Sequence, residues 1–158
     1  NSHLLFYSQE NNLILQTTEV SDNVIPSSNS QMANNFYEIG RYFNEEIFIT
    51  KAVNMLTIGI ANFNNYGAGY SNWAILAHKI IQPQFEITIV GNNVNTILLE
   101  LYKYCPTYPI LAVSKQTSSL PLIKDKFSVN ETLIYVCKNK HCYLPVSTVN
   151  EAINYFEN

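Results

Sequence analysis

The spacing of apolar residues along the first half of the chain predicts three helices. From residue 29 to about residue 43 apolar side chains recur every three to four positions, which is typical of an amphipathic helix. The same spacing recurs over residues 44–63 and again over residues 71–81. Ser28 and Gln31 have the form of a capping box, in which a hydroxyl and an amide satisfy the first backbone N–H groups of a helix. We therefore expect the first helix to begin next to Ser28.

After Pro83 the periodicity changes from that of helices to that of strands. Three runs are rich in β-branched residues, and helical spacing at residues 95–105 separates the first two. The runs are residues 86–91, 109–113 and 132–137. Thr148 and Glu151 form a second capping box, which predicts a helix at the end of the chain. Since strands joined through helices run parallel, we expect a small three-stranded parallel α/β unit.

These patterns predict a mixed α and β fold with a boundary near Pro83. Residues 1–83 form the helical segment, and residues 84–158 form the small α/β unit. The 158 residues are enough to bury a hydrophobic core without help from a metal or a set of disulfides.

Charge and hydropathy exclude two classes of partner. The net charge is −3, the pI is near 5.5, and the few basic residues form no cluster that would follow a phosphate backbone. No apolar run approaches the roughly 20 residues that span a bilayer. We therefore expect neither nucleic acid nor a membrane as a partner. Only 13% of the residues are charged, against about 25% in an average soluble protein, so part of the surface is uncharged or is covered by something else.

Two of the three cysteines lie in one short segment. Cys137 ends the last predicted strand, Cys142 follows it, and Pro145 interrupts a continuous strand. The pair could form a disulfide or redox pair, could supply half of a zinc site with His141, or could be two packed thiols that close a turn. A structural zinc site needs four ligands, so we expect no metal and no cofactor. The odd number of cysteines argues against a secreted, disulfide-stapled framework and favours a cytoplasmic setting.

Three motifs in this order resemble a known family. They read D-x-x-x-P-S-S-N-S at residues 22–30, E-x-x-x-x-G at residues 86–91 and Y-V-C-x-x-x-x-C-x-x-P-V at residues 135–146. Together they resemble the C-terminal part of the spermatogenesis-associated protein 20-like, thioredoxin-domain-containing proteins, whose bacterial members are called YyaL. The resemblance runs from about Phe6 to the end of the chain. One position departs from the pattern, because the family has glycine where this chain has Ser28.

The resemblance implies that the chain is a fragment of a longer protein. Its three helices would be the last part of an incomplete (α/α) barrel similar to those of sugar epimerases and six-hairpin glycosidases. The α/β unit would be an appended C-terminal element. The implied partners are the rest of the parent chain, namely its helical barrel and its thioredoxin-like domain, together with carbohydrate. Helix faces that the barrel would cover could also support a homodimer.

By analogy with sugar-binding barrel mouths, three residues of the helical segment are candidate site residues. Asp22 would be a catalytic acid, base or hydroxyl-binding group, and Asn29 and Trp73 would bind substrate. The structural alternative is that Asp22 makes a turn, Asn29 or Ser28 caps the following helix, and Trp73 packs in the core. Glycoside chemistry needs a second carboxylate, which spacing alone does not identify.

Two functional hypotheses follow. In the first, the chain is the non-catalytic C-terminal segment of a YyaL-like parent that resembles carbohydrate-active barrel enzymes. In the second, the chain is a thiol-redox or interaction module that works with the thioredoxin-like domain of the parent through Cys137 and Cys142. The other family members carry both cysteines, which is what the resemblance adds to the second hypothesis.

Overall fold

The computed structural model describes residues 3–6, 18–64 and 66–157. The chain divides into two units, Asn1–Ile81 and Gln82–Asn158. Over the described residues the first unit is helical and the second combines helices with a sheet. The fold is therefore mixed α and β, as the sequence predicts.

The three predicted helices are present in the first unit. They are α1 (Ser28–Phe43), α2 (Glu46–Gly59) and α3 (Ser71–Ile81), with short 3-10 helices at Ile60–Asn62 and Gly67–Tyr70. The core between them is built around large buried side chains, which are Tyr37, Met55, Leu56, Tyr70, Trp73 and Leu76. Gly40 lets α1 approach α2 closely, because a Cβ atom at this position would lie 2.6 Å from Cγ1 of Ile49.

The cap of α1 differs from the predicted one by one residue. Ser27 is the N-cap, and its side chain accepts a hydrogen bond from the Ser30 N–H at 3.2 Å. Ser28 is instead the first helical residue, and its N–H and Oγ donate to Glu19 Oε2 at 2.9 and 2.8 Å. The predicted Ser28–Gln31 box is therefore wrong, because the hydroxyl one position earlier already takes the capping role. Ser28 is not among the residues with positive φ, so this position does not require glycine.

The second unit contains a four-stranded mixed sheet with helices. In chain order the elements are β1 (Phe85–Val90), α4 (Val94–Leu101), β2 (Ile110–Ser114), β3 (Leu133–Lys138), β4 (His141–Cys142) and α5 (Val149–Glu157), with a 3-10 helix at Tyr102–Tyr104. The strand order is β2-β1-β3-β4. β1 and β2 pair in parallel, whereas β3 is antiparallel to both β1 and β4.

The predicted three-stranded parallel sheet is therefore wrong in strand number and in direction. β1 and β2 are joined through α4 and are parallel, as expected for a helical crossover. The connection from β2 to β3, residues 115–132, contains no helix. It buries Leu122 and Ile123, and the Leu122 carbonyl accepts a hydrogen bond from Thr88 Oγ1 in β1 at 2.9 Å. β3 then returns along the free side of β1 in the opposite direction.

The other face of the sheet packs against α4 and α5. Its core combines strand residues such as Ile87, Ile134 and Val136 with Val94, Leu101 and Ala152 from the helices. The Thr148–Glu151 capping box of α5 is confirmed, since the Thr148 N–H donates to Glu151 Oε2 at 3.2 Å and the Glu151 N–H donates to Thr148 Oγ1 at 3.4 Å. None of the helices in the described ranges is long and apolar enough to cross a membrane.

Candidate functional site

The β3–β4 hairpin carries a disulfide between Cys137 and Cys142. The two residues are directly opposite each other in the ladder, with their Cα atoms 3.9 Å apart. The Tyr143 N–H donates to the Val136 carbonyl at 3.0 Å, so the cysteine pair occupies the adjacent non-hydrogen-bonded position, where side chains approach most closely. The sulfurs are thus bonded rather than packed as free thiols.

The two sulfur-bearing residues differ in exposure. Cys137 lies in the second strand from the edge and is 1% exposed, whereas Cys142 lies in the edge strand and is exposed. The Cys142 side of the bond is therefore the more exposed of the two.

A tight turn holds the hairpin in this geometry. Asn139 and Lys140 have φ values of 51° and 68°, which is the backbone of a type I′ hairpin turn. Asn139 also ties the turn to the residue before β1: its N–H donates to the Gln84 carbonyl at 2.8 Å, and its Oδ1 accepts from the Gln84 N–H at 3.0 Å. The disulfide is consequently presented on a fixed hairpin.

Glu86 of β1 is the carboxylate nearest to Cys137 in the ladder. Glu86 pairs with Cys137 in register, and Cys137 pairs with Cys142, so the three side chains project from the same face of the sheet. Two positions along on that face, Thr88 pairs with Tyr135. This face therefore carries polar groups, in contrast to the apolar face below α4 and α5.

Lys126, from the segment between β2 and β3, lies over these polar groups. Its Nζ is 3.4 Å from Thr88 Oγ1 and 5.4 Å from the centre of the Tyr135 ring. The Tyr135 hydroxyl donates to the Lys126 carbonyl at 3.1 Å. Burial lowers the pKa of Lys126, and the nearby Glu86 carboxylate partly opposes that effect. A half-buried cation thus lies on the face from which the disulfide projects.

Three residues with basic side chains lie at the end of the hairpin, next to the cysteine pair in the sequence. Lys138 and His141 form the last pair of the hairpin, and Lys140 lies in the turn between them. The Lys138 Nζ lies 5.5 Å from the centre of the Phe85 ring. A His141 ring nitrogen, Nδ1, is 3.1 Å from the Asn139 carbonyl oxygen. Since Lys138 and His141 are each one residue away from the cysteine pair, their side chains project from the opposite face of the sheet.

Cys105, the third cysteine, is a partly buried free thiol that packs against the core of the second unit. Burial raises the pKa of this thiol, which lowers its thiolate fraction and its reactivity at neutral pH. Cys137 and Cys142 have no thiolate to offer a metal while they are bonded to each other. Within the described ranges, no group of three or more His, Cys, Asp or Glu side chains is placed to hold a metal ion.

Asp22, the candidate catalytic residue, is 8% exposed and both of its carboxylate oxygens accept hydrogen bonds from the protein. Oδ1 accepts from the Ser27 N–H at 2.9 Å and from Ser30 Oγ at 2.6 Å. Oδ2 accepts from the Asn72 N–H at 2.7 Å. The carboxylate borders a cleft of about 220 Å³, but its contacts are those of a group that joins the starts of α1 and α3.

Asn29, a candidate substrate-binding residue, is buried in α1 and holds two backbone segments. Its Nδ2 donates to the carbonyl oxygens of Leu5 and Glu19, both at 2.9 Å. Its Oδ1 accepts from the Leu5 N–H at 2.7 Å. These contacts explain the residue as a structural anchor for the chain before α1, and a role with substrate stays a prediction.

Trp73, the second candidate substrate-binding residue, is 0% exposed. Its Nε1–H donates to the Val20 carbonyl at 2.8 Å, and Gly59 approaches its ring so closely that an added Cβ would lie 2.5 Å from it. A ring with no exposed face cannot stack on a sugar unless the core opens. Asp22, Asn29 and Trp73 all contact residues of the segment 18–30, and none of them presents an unused polar group to the cleft beside Asp22.

Sequence reasoning missed Lys126 and Glu86 as charged residues on the face of the sheet from which the disulfide projects. Lys126 follows a polar connection that has no periodicity, so nothing in its local sequence indicates a position over the sheet. Glu86 carried a signal that could have been used, because a charged residue at the start of a strand that otherwise reads as buried needs an explanation.

Comparison of this chain with protein-family models, with curated proteins and with solved structures finds no match in any of the three.

Proposed function

We propose that the second unit is a thiol-redox module, in which the Cys137–Cys142 disulfide exchanges with a partner thiol. The observation that carries the proposal is a cross-strand disulfide with one protected and one exposed cysteine. This difference in exposure directs the attack of a partner thiolate to the sulfur of Cys142. In a cytoplasmic setting, which we also propose, a disulfide in a protein of this kind is usually transient and catalytic or redox-sensing rather than structural.

The proposed partner is a dithiol group such as that of the thioredoxin-like domain of a YyaL-like parent. A partner thiolate attacks Sγ of Cys142, a mixed disulfide forms, and the sulfur of Cys137 leaves as a thiolate that takes up a proton. A second partner thiol then attacks the mixed disulfide and releases Cys142 as a thiol. The balance is one protein disulfide and two thiols converted into two protein thiols and one partner disulfide.

The test is a redox titration of the whole chain with a count of reactive thiols. The oxidised protein should show one thiol, that of Cys105, and the reduced protein should show three. We expect equilibration with a thioredoxin or glutathione buffer at potentials above about −300 mV, the range of exchangeable disulfides. A potential clearly below that range would make the bond structural and overturn the proposal. The C137S/C142S variant is the control for thiols that react elsewhere.

We also propose that the first unit is the non-catalytic end of a helical barrel whose remaining helices belong to the parent chain. A groove of about 520 Å³ on this unit supports the proposal. Its lining is mostly apolar and consists of Ile60, Phe63, Asn64, Ala74, Ala77, His78 and Ile81. Contiguous exposed apolar surface of this kind marks a place where another element binds. Carbohydrate would then be a ligand of the parent barrel rather than of this unit alone.

Light scattering over a range of protein concentrations tests the uncovered groove. Without its covering helices, we expect the chain to self-associate, and F63S/I81S should weaken that association. Leu99→Ser is the matched control, since it removes an exposed apolar side chain of the second unit. If the chain stays monomeric at all concentrations, or if F63S/I81S and Leu99→Ser weaken self-association equally, the proposal that other helices cover this groove is wrong.

A further inference from the structure

The edge of the sheet at β4 leaves two backbone groups of Cys142 without a partner. In an antiparallel ladder, a residue at a non-hydrogen-bonded position points its N–H and its carbonyl away from the neighbouring strand. Cys142 occupies such a position opposite Cys137, and β4 is the last strand of the sheet, so both groups point to the open edge. Within the part of the chain that the structure describes, no group bonds to either of them. An edge of this kind accepts another extended chain.

The open edge is short and carries an apolar side chain near the disulfide. Tyr143 packs against the core of the second unit, where its ring stacks on that of Tyr155 with the centroids 4.4 Å apart. Leu144 follows Tyr143, and its side chain is 81% exposed. Pro145 has no N–H group with which to continue a ladder. The edge that can take up an added strand is therefore limited to residues 142–144.

A strand added at this edge would bring one of its side chains next to the disulfide. The residue opposite Cys142 would form a hydrogen-bonded pair with it, in which the Cα atoms lie about 5.5 Å apart. Because the Cα atoms of a disulfide are most often about 5.5–6 Å apart, a cysteine at that place can bond to Cys142 without a shift of either backbone.

The order of the strands also suits the direction of attack. β3 and the added strand would lie on opposite sides of β4, so the incoming sulfur and that of Cys137 would lie on opposite sides of the Cys142 sulfur. In thiol–disulfide exchange the incoming sulfur attacks the central sulfur while the other one leaves, which this arrangement allows.

We infer that the partner thiol of this disulfide belongs to a cysteine in an extended protein segment, which pairs as an antiparallel strand with residues 142–144. The inference rests on the proposed function and names the partner class of the same disulfide. Two backbone hydrogen bonds to Cys142 position the segment, and Leu144 favours an apolar side chain beside the partner cysteine. A thiol without a peptide backbone lacks these contacts.

The exchange is written for a cysteine peptide, RSH. RS⁻ attacks Sγ of Cys142, the Cys137–Cys142 bond breaks, and Cys137 leaves as a thiolate that is protonated from solvent. A second RS⁻ attacks the R-bound sulfur of the mixed disulfide, and Cys142 leaves as a thiolate that also takes up a proton. Two electrons pass from two RSH molecules to the protein, and RSSR is the only oxidised product.

The test measures reduction of the disulfide by three uncharged peptides with blocked ends. The parent peptide has one central cysteine between valine and threonine residues, which favour strands. A second peptide is N-methylated at the cysteine, whose N–H would bond to the Cys142 carbonyl. A third is N-methylated at the residue after the cysteine, whose N–H would point away from β4.

Each second-order rate constant is divided by the thiolate fraction of that peptide, so that acidity does not decide the result. We expect N-methylation at the cysteine to slow reduction about three- to tenfold, the scale of one lost hydrogen bond, and N-methylation at the next residue to slow it less than about twofold.

A protein variant locates the contact on β4. Leu144→Ser removes the exposed apolar side chain and should slow reduction by the parent peptide about two- to threefold. The rate with 2-mercaptoethanol should not change, because this thiol makes no strand contacts. Leu99→Ser is the matched control, since Leu99 is 72% exposed and lies in α4, away from the edge strand.

Two failures are distinguishable. If neither the peptides nor 2-mercaptoethanol reduce the disulfide, the proposed redox function is wrong. If reduction occurs but the two N-methylated peptides have equal corrected rate constants, the partner does not pair with β4 and the inference is wrong. Equal slowing of the parent peptide by Leu99→Ser and Leu144→Ser would also overturn it.

Discussion

The polar network around Asp22 and the disulfide hairpin show two different uses of chemically capable residues. At Asp22 each carboxylate oxygen accepts hydrogen bonds from the protein itself, and the group is nearly inaccessible. At the hairpin the disulfide joins the buried Cys137 to Cys142, which is exposed and lies in the edge strand. The Asp22 carboxylate stabilises the fold because both of its oxygens accept hydrogen bonds from the protein. The disulfide differs, because one of its two cysteines is exposed to solvent.

Removal of the Asp22 carboxylate should give the largest effect. Asp22→Ala leaves the N–H groups of Ser27 and Asn72 without an acceptor, whereas the Ser30 hydroxyl can still donate to the Ser27 carbonyl at 3.0 Å. Because each buried donor left unsatisfied costs about 1–3 kcal/mol, we expect the free energy of unfolding of the first unit to fall by about 4 kcal/mol. Urea denaturation followed by Trp73 fluorescence measures it.

Asp22→Asn is the control for this experiment. It retains one oxygen for Ser27 and Ser30 but presents an amide to the Asn72 N–H, so the loss should be about half as large. Unchanged stability in Asp22→Ala would contradict the structural role and return Asp22 to the list of catalytic candidates.

A methyl group at Gly59 should give the next largest effect. An alanine Cβ there would lie 2.5–2.7 Å from three atoms of the buried Trp73 ring, so α2 and α3 would have to separate. Overpacking of this kind costs about 1–3 kcal/mol and outweighs the gain of about 1 kcal/mol that alanine brings to a helix. We expect Gly59→Ala to lower the midpoint of thermal unfolding.

Gly67→Ala is the matched control for Gly59, since the nearest atoms to its added Cβ are 4.0 Å away on the Phe63 ring. It should leave the midpoint nearly unchanged. Equal effects of the two alanines would show that Trp73 is not held as tightly as its contacts indicate, and an accessible ring would then be available to a ligand.

The helices of the first unit were predictable because the spacing of apolar residues can be seen within each segment of the sequence. Residues 71–81 were bounded correctly, since the turn before Ser71 and the proline after Ile81 are both visible in the sequence. The cap at Ser27 was not, because three consecutive polar residues offer alternative caps and the choice depends on a distant acceptor, Glu19, that takes up Ser28. Tertiary contacts decided between locally equivalent residues.

The sheet was less predictable because strand direction depends on the path of the connections. The sequence indicates three strands but not that residues 115–132 cross the sheet without a helix. β4 was missed because its turn, Asn139-Lys140, lacks the glycine that usually marks a type I′ hairpin. Pro145 pointed to the end of pairing, yet Val146 returns to exchange two hydrogen bonds with Ile134 at 2.8 and 3.0 Å.

The candidate site residues show the same difference between contacts that are close in the sequence and contacts that are distant in it. The sequence brought Cys137 and Cys142 together because they are close in the chain, but it left a disulfide, a half-site for metal and packed thiols all open. The contacts of Asp22 with Ser27 lie within five residues, whereas its bond to Asn72 spans 50. Whether a polar residue is used by the fold or left free depends on such distant partners, which a single sequence does not reveal.

Reduction of the disulfide should have a smaller effect than removal of the Asp22 carboxylate, and at most an effect similar to that of Gly59→Ala. The two cysteines are five residues apart, and closing so short a loop contributes about 2 kcal/mol or less in the chain-entropy description. The turn bonds between Asn139 and Gln84 remain after reduction. We expect the reduced second unit to stay folded, with circular dichroism close to that of the oxidised protein.

The C137A/C142A variant is the control for this comparison, because it removes the bond without adding thiols. It should unfold at nearly the same urea concentration as the reduced protein. If the second unit instead loses its structure on reduction, the bond is needed for folding, and a redox cycle through the reduced state becomes untenable.

The smallest effect concerns pH and Lys126. Since burial lowers the pKa of Lys126 in the folded protein, the folded state binds the proton less tightly than the unfolded state, whose lysine has a pKa of about 10.4. Protonation therefore favours unfolding below the folded pKa, and this cost disappears as the pH rises through the folded pKa towards the unfolded one. We expect the free energy of unfolding of the wild type, relative to Lys126→Met, to increase as the pH is raised from 8 to about 10.5.

Urea denaturation of both proteins at each pH measures the difference, and Lys115→Met gives the baseline for an exposed lysine. A difference that falls with pH would mean that Thr88 and the Tyr135 ring favour the charged form more than burial opposes it. Lys126 would then act as a stabilising cation on the face that carries the disulfide.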